Sequence, residues 1–329
     1  MAQTIACANQ KGGVGKTTTV VNLATYLALA GDRLLIIDLD PQGNATSGFG
    51  IDQAGLQPTA YEAIVEGTPL RETVVRTSIE GLDLAPAAIA LAGAEIELAS
   101  MDRRERRLAS LIAAIAPDYD YILIDTPPSL GLLTVNALTA AEAVLIPIQC
   151  EYYALEGLTQ LISTIHLIRD NLNPALEIQG VVLTMYDART HLSADVAGEV
   201  RRHLGSKVYK SVIPRSVRLS EAPSHGLPVA IYSRDSKGAQ AYAAMAAEFK
   251  ARTGGNDRDA AAAPDTFPGR KGATVPDTFS GRGHTEVIPE ATDGAAPDGS
   301  AHHDAARPHI SRPSPAASVD AERLVSVES

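Results

Sequence analysis

The stretch from Ile5 to Val20, IACANQKGGVGKTTTV, constrains this chain more than any other. A short apolar run, Ile5 to Ala8, passes into a glycine-rich turn and then into Lys16-Thr17-Thr18, which has the composition of a helix start. Strand, loop and helix in that order make a phosphate cradle. Gly12, Gly13 and Gly15 let the backbone take conformations closed to other residues, so successive N–H groups turn toward an anion at the positive end of the helix. Lys16 is placed to reach β- and γ-phosphates. Thr17 offers a hydroxyl to Mg²⁺, which takes a few protein oxygens beside phosphate and water.

The loop departs from the common G-x-x-x-x-G-K-[ST] pattern in one place. Position 10 is Gln, and Lys11 opens a K-G-G-x-G-K-T-T run with two lysines. Two further segments carry acid at the end of an apolar run. Arg33 to Asp38, RLLIID, reads as a strand covered on both faces, followed by Asp40, Gln42 and Asn44. Tyr119 to Asp125, YDYILID, is a second such strand, and Thr126-Pro127-Pro128-Ser129 follows as a turn. In open α/β sheets the carboxyl ends of strands are where ligands sit.

Helical and strand patterns alternate along the rest of the chain. Helices are expected at Thr17–Ala30, Leu130–Ala140, Tyr153–Arg169, Ser193–Leu204 and Lys237–Lys250, and strands at Ala143–Ile148, Ile178–Thr184 and Val208–Ile213. A long helix over Ile89–Ala116 is expected to be interrupted by the charged knot Asp102 to Arg107, read as a solvated face. The alternation predicts an α/β fold with a doubly wound, mainly parallel sheet. Residues 1–252 would form this domain. Residues 253–329 turn to Gly, Pro, Ala, Asp, Ser and His, a composition that predicts a disordered tail. The tail repeats Pro264-Asp265-Thr266-Phe267 as Pro276-Asp277-Thr278-Phe279.

The 329 residues carry a formal charge of −11, yet Arg189 to Lys237 holds nine Lys or Arg against four Asp or Glu. A basic face on an acidic chain is therefore open. Two cysteines, Cys7 and Cys150, give neither a disulfide framework nor metal-ligand spacing. No stretch approaches the ~18 apolar residues of a membrane span, so no membrane partner is expected.

Four blocks in order, NQKGGVGKTTTVVNLA, IDLDPQGNATSGFG, YILIDTPPSLGLLTVNAL, and LTMYDART with IPRSVRLSEAPSHGLPV, resemble the ParA/Soj-type chromosome-partitioning ATPases, deviant Walker A members of the P-loop NTPases. The resemblance covers about Met1 to Arg252. It implies ATP and Mg²⁺ as cofactors, with ATP on Gly12, Gly13, Val14, Gly15, Lys16, Thr17 and Thr18 and with Lys11 acting across an ATP-dependent homodimer. It implies that Asp40 positions the attacking water and that Asp125 supports Mg²⁺ through water, so that Thr17, Asp40 and Asp125 surround the metal. Pro214 and Arg215 fall where the family contacts adenine, and Arg189 and Arg218 match its DNA-binding arginines, with Arg201, Arg202, Lys207 and Lys210 as helpers. The implied partners are non-specific DNA and a ParB-type centromere-binding protein that stimulates hydrolysis, and the implied location is cytoplasmic and nucleoid-associated. Because a carboxylate of ordinary acidity is a poor base at neutral pH, slow intrinsic turnover is expected. The alternative is a MinD-like or scaffold-type ATPase that positions another cellular cargo.

Overall fold

The computed structural model describes residues 2–151 and 154–254. The 253–329 tail, with its Pro-Asp-Thr-Phe repeats, falls almost wholly outside the described residues.

The elements run β1 (Gln3–Cys7), α1 (Lys16–Leu29), β2 (Leu34–Asp38), α2 (Asn44–Gly48), α3 (Leu70–Thr73), β3 (Val75–Arg76), β4 (Leu82–Ala85), α4 (Leu91–Ala99) and α5 (Arg107–Ile115). They continue with β5 (Tyr121–Asp125), α6 (Leu132–Ala140), β6 (Ala143–Gln149), α7 (Ala154–Asn171), β7 (Glu177–Tyr186), α8 (His191–Leu204) and β8 (Val208–Pro214). Three helices close the described chain: α9 (Val217–Glu221), α10 (Val229–Tyr232) and α11 (Lys237–Thr253). One sheet holds the eight strands in the order β3-β4-β2-β5-β1-β6-β7-β8, all parallel except β3 against β4.

Why the strands lack the polar–apolar alternation of a half-exposed sheet is visible in their packing. Leu34, Ile36, Tyr121 and Leu123 pack with α1 and α11 on one face. Their neighbours Leu35, Ile37, Ile122 and Ile124 pack with α4 to α8 on the other. Both faces are covered, so successive side chains are apolar whichever way they point. The chain leaves β1 through α1 toward β2, whereas α6 carries it from β5 past β1 to β6. The strand order thus reverses direction around β1, which places the crevice at the carboxyl ends of β2, β5, β1 and β6.

The long helix expected over Ile89–Ala116 is instead two, α4 and α5. Between them Arg103 takes φ 52, and the arginines of the knot clasp carbonyls. Arg104 donates to the Ala99 carbonyl at 2.6 Å, Arg106 to that of Leu172 at 2.7 Å, and Arg107 to those of Ile64 and Val65. Asp102, Arg103 and Arg106 are exposed, as a solvated knot requires, but three of its arginines also tie down carbonyls of other segments. Among the described residues no helix is long and apolar enough to cross a membrane.

Candidate functional site

The loop between β1 and α1 is pinned from three neighbouring strands. The Thr126 hydroxyl, just past β5, donates to the Cys7 carbonyl at 2.8 Å; the Asn9 amide donates to Pro147 of β6 at 2.7 Å; the Thr184 hydroxyl of β7 donates to the Val14 carbonyl at 2.8 Å. Asn9 also accepts from the Lys11 N–H at 3.0 Å. Gly13 and Gly15 have φ 72 and φ 90, left-handed conformations that a side chain would strain, and Gly15 leads directly into α1. Such a loop holds its N–H groups in place before any anion arrives.

Asp38, Asp125 and Cys7 are in register at the ends of β2, β5 and β1. The two carboxylates are fully buried side by side but differently provided for. Asp38 accepts from the Asp40 N–H at 3.2 Å, the Thr46 N–H at 2.9 Å and the Thr46 hydroxyl at 2.8 Å. Burial raises its pKa to about 6 against the pull of those bonds, and the nearby Asp40 charge adds to the rise. Both oxygens of Asp125 lack a hydrogen-bond partner. Burial first, and the Asp38 charge second, push its carboxyl well above the usual range, and the nearby Thr17 hydroxyl and Lys16 ammonium only partly offset this. Asp40 is 7% exposed and accepts from the Gln42 N–H at 3.0 Å.

An orphaned buried carboxylate beside a threonine hydroxyl is a hard oxygen pair, and a small divalent cation fits it. Among the described residues no group of three or more His, Cys, Asp or Glu is placed to hold a metal unaided.

The cleft over these groups has a volume of about 390 Å³. Gly12, Gly13, Gly15, Lys16, Thr17, Thr18 and Asp40 line its polar side. Met185, Leu219, Ala222, Pro223, Leu227 and Pro228 supply an apolar part of its lining, suited to a flat ring. Met185 sits at φ 49, a sparsely populated conformation for its type, at the cleft rim. The Asn22 side chain ties the wall to α1 by accepting from the Val229 N–H at 2.8 Å.

Five expected site residues are not among those lining the cleft: Val14 and Asp125 are buried behind it, and Pro214, Arg215 and Lys11 lie elsewhere. Pro214 ends β8, and the Arg215 N–H donates to the Tyr186 carbonyl at 3.0 Å while its guanidinium lies 3.9 Å from Glu151. The chain reaches the cleft only after α9 and the turn at Pro223, so the later half of IPRSVRLSEAPSHGLPV supplies the wall. Lys11 is also absent from the cleft lining. Its ammonium pairs with Glu151 at 3.0 Å, half-exposed at the loop's outer edge.

Arg189 and Arg218 leave the carboxyl edge of the sheet from adjacent strands, β7 and β8, whose ends pair at Tyr186 and Pro214. Both are exposed, and both are held by a carboxylate of their own chain. Asp187 takes the Arg189 guanidinium at 2.9 and 2.7 Å, which draws the Asp187 carboxyl well below its usual range. Glu221 accepts from Arg218 at 2.8 Å. Of the helpers, Arg202 pairs with Glu199, and Lys207 donates to the Ile178 carbonyl at 3.0 Å.

A pinned phosphate loop at the switch point of a parallel sheet, with acids at the ends of β5 and β2 to one side of it and apolar residues completing the cleft, defines a P-loop nucleoside triphosphatase. A family model described as an AAA domain matches residues 2–178. The chain is 55% identical to the sporulation initiation inhibitor protein Soj of Bacillus subtilis over 251 residues, 76% of this chain and 99% of Soj. It is 54% identical to the chromosome partitioning protein ParA of Caulobacter vibrioides over 261 residues, 79% of this chain and 97% of that one. Among solved structures it is similar to a cobyrinic acid a,c-diamide synthase from Mycobacterium smegmatis with bound ADP and magnesium, at TM-score 0.67 and 39% identity, covering 77% of this chain and 97% of that one. The chain belongs to the ParA/Soj family of chromosome-partitioning ATPases.

Proposed function

We propose that this protein is an ATP-dependent DNA-partitioning switch: it binds Mg²⁺ and ATP, closes into a sandwich dimer on DNA of any sequence, and is released when a ParB-type partner stimulates hydrolysis. The observation that carries this reading is the unequal placement of the two loop lysines. Lys16 is 6% exposed and lines the cleft, whereas Lys11 stands outside it in an exposed pair that is easily exchanged. A cation so placed is free to meet the phosphates of a second copy's nucleotide.

Within one protomer the loop N–H groups and Lys16 hold the β- and γ-phosphates, and the apolar wall takes the base. Mg²⁺, once bound near Thr17 and Asp125, supplies charge compensation on the phosphate oxygens. Asp40, fixed at the cleft edge, orients the attacking water. Phosphoryl transfer needs this positioning and electrostatic stabilisation more than a strong base, which accords with slow unaided turnover. Nucleoid association follows from the DNA step. Arg189 and Arg218 give one protomer too few phosphate contacts for firm binding, and dimerisation doubles them, so DNA affinity follows the nucleotide state.

Arg218→Glu is expected to abolish DNA binding while ATP-dependent dimerisation, followed by sedimentation, is retained. Loss of both would make Arg218 a structural residue instead. The Asp187 pair competes with phosphate for Arg189, so Asp187→Asn is expected to tighten DNA binding. The pair is exposed and weak, so the dissociation constant measured by fluorescence anisotropy is expected to fall by about 1.4- to 5-fold. An unchanged or weaker affinity would show that the pair does not compete.

A further inference from the structure

Thr46, the third residue of α2, is fully buried. Its N–H and hydroxyl both donate to one oxygen of Asp38, at 2.9 and 2.8 Å, and the same hydroxyl accepts from the Ala87 N–H at 3.1 Å. The other Asp38 oxygen takes the Asp40 N–H at 3.2 Å. One carboxylate therefore clasps both ends of the Leu39–Ala45 segment, and Thr46 bolts that clasp to the chain just past β4.

Among the described residues no cation pairs with Asp38. A buried carboxylate without a counter-charge is an expensive way to hold a loop, and a well-packed apolar side chain would do so at less cost. What the carboxylate adds is direction: it fixes the backbone of Asp40 and the start of α2 relative to each other. The clasped segment and α2 also contribute Gln42, Asn44, Ser47 and Gly48 to the cleft. Reaction geometry tolerates displacements well under 1 Å, so such a clasp matters for turnover rather than for capture of nucleotide.

We propose that Thr46 is a positioning residue for ATP hydrolysis, acting through Asp38 to hold Asp40 in its water-orienting place. The proposal rests on the assignment of that task to Asp40. Its test compares Thr46→Val, Thr46→Ser and Asp40→Asn in the full-length protein, with turnover, binding of a fluorescent ATP analogue and thermal melting measured on each. Valine keeps the shape and removes the hydroxyl. Thr46→Val is expected to lower kcat about 10- to 100-fold, the usual cost of a lost supporting contact, with KM and analogue affinity within about 3-fold of wild type. Thr46→Ser, which restores the hydroxyl, is expected to return kcat to within about 3-fold. Full turnover by Thr46→Val overturns the proposal and leaves the Asp40 assignment standing, as does a kcat loss matched by loss of folded protein or of analogue binding. Full turnover by Asp40→Asn overturns the assignment, and the proposal with it.

Discussion

Replacing Lys16 by alanine is expected to reduce ATP hydrolysis about 10²- to 10³-fold, the scale seen when one preorganised group facing developing charge is removed. Lys16 is the buried cation of the cleft, at the first turn of α1, and the other loop lysine is held away from the cleft by Glu151. Among the described residues no second cation lines the cleft to take over. Its ammonium also offsets the Asp125 charge, so the variant leaves a buried carboxylate with less compensation. A phosphate-release assay with saturating Mg²⁺ and ATP reads the loss, and a fall below about 3-fold would show that the loop N–H groups suffice.

The second large effect separates stability from activity. Both oxygens of Asp125 are buried without a partner, an arrangement costing about 1–3 kcal/mol or more in the nucleotide-free protein. Asp125→Asn removes the capacity to ionise while keeping the shape. Because the buried amide still lacks partners, only the charge is relieved, and the melting temperature of the nucleotide-free protein is expected to rise by up to ~12 °C, at roughly 2–4 °C per kcal/mol for a domain of this size. The same variant is expected to lose Mg²⁺-dependent hydrolysis by about 10²-fold, and Mg²⁺ with ATP should no longer stabilise it as it does wild type. Strain kept at a functional site is the common origin of such a trade. A melting temperature that falls, with the wild-type response to Mg²⁺ intact, would mean that Asp125 is a structural acid.

The parts of the site legible in the sequence are those that one continuous segment writes out. The loop from Gly12 to Thr18 announces itself because glycines, lysine and threonine fall between a strand and a helix. Asp38 and Asp125 were legible because each closes an unbroken apolar run, and the structure puts them in register at the ends of the paired strands β2 and β5, the second of which borders β1. The apolar wall was not legible. Met185 comes from the end of β7, whereas Leu219, Leu227 and Pro228 come from the chain beyond β8, and only the folded sheet edge brings them into one cleft with Thr18 and Asn22. Pro214 and Arg215 precede, in the same block, the residues that line the cleft. Thr46 gave no signal because a threonine in a polar run reads as solvated, and its burial follows from the distant Ala87. The ties of the arginine knot were hidden for a similar reason, since its carbonyl partners lie in other elements. The two-residue β3 is too short to leave a pattern.

The most direct test is DNA co-sedimentation of wild type with ATP, wild type with ADP, and Lys16→Ala with ATP, each at low and at physiological salt. A phosphate-reading switch gated by nucleotide binds DNA as wild type with ATP alone, more weakly as salt rises, and fails in both other cases. Equal binding in all three cases, or none in any, would contradict it and leave an ATPase without a DNA cycle.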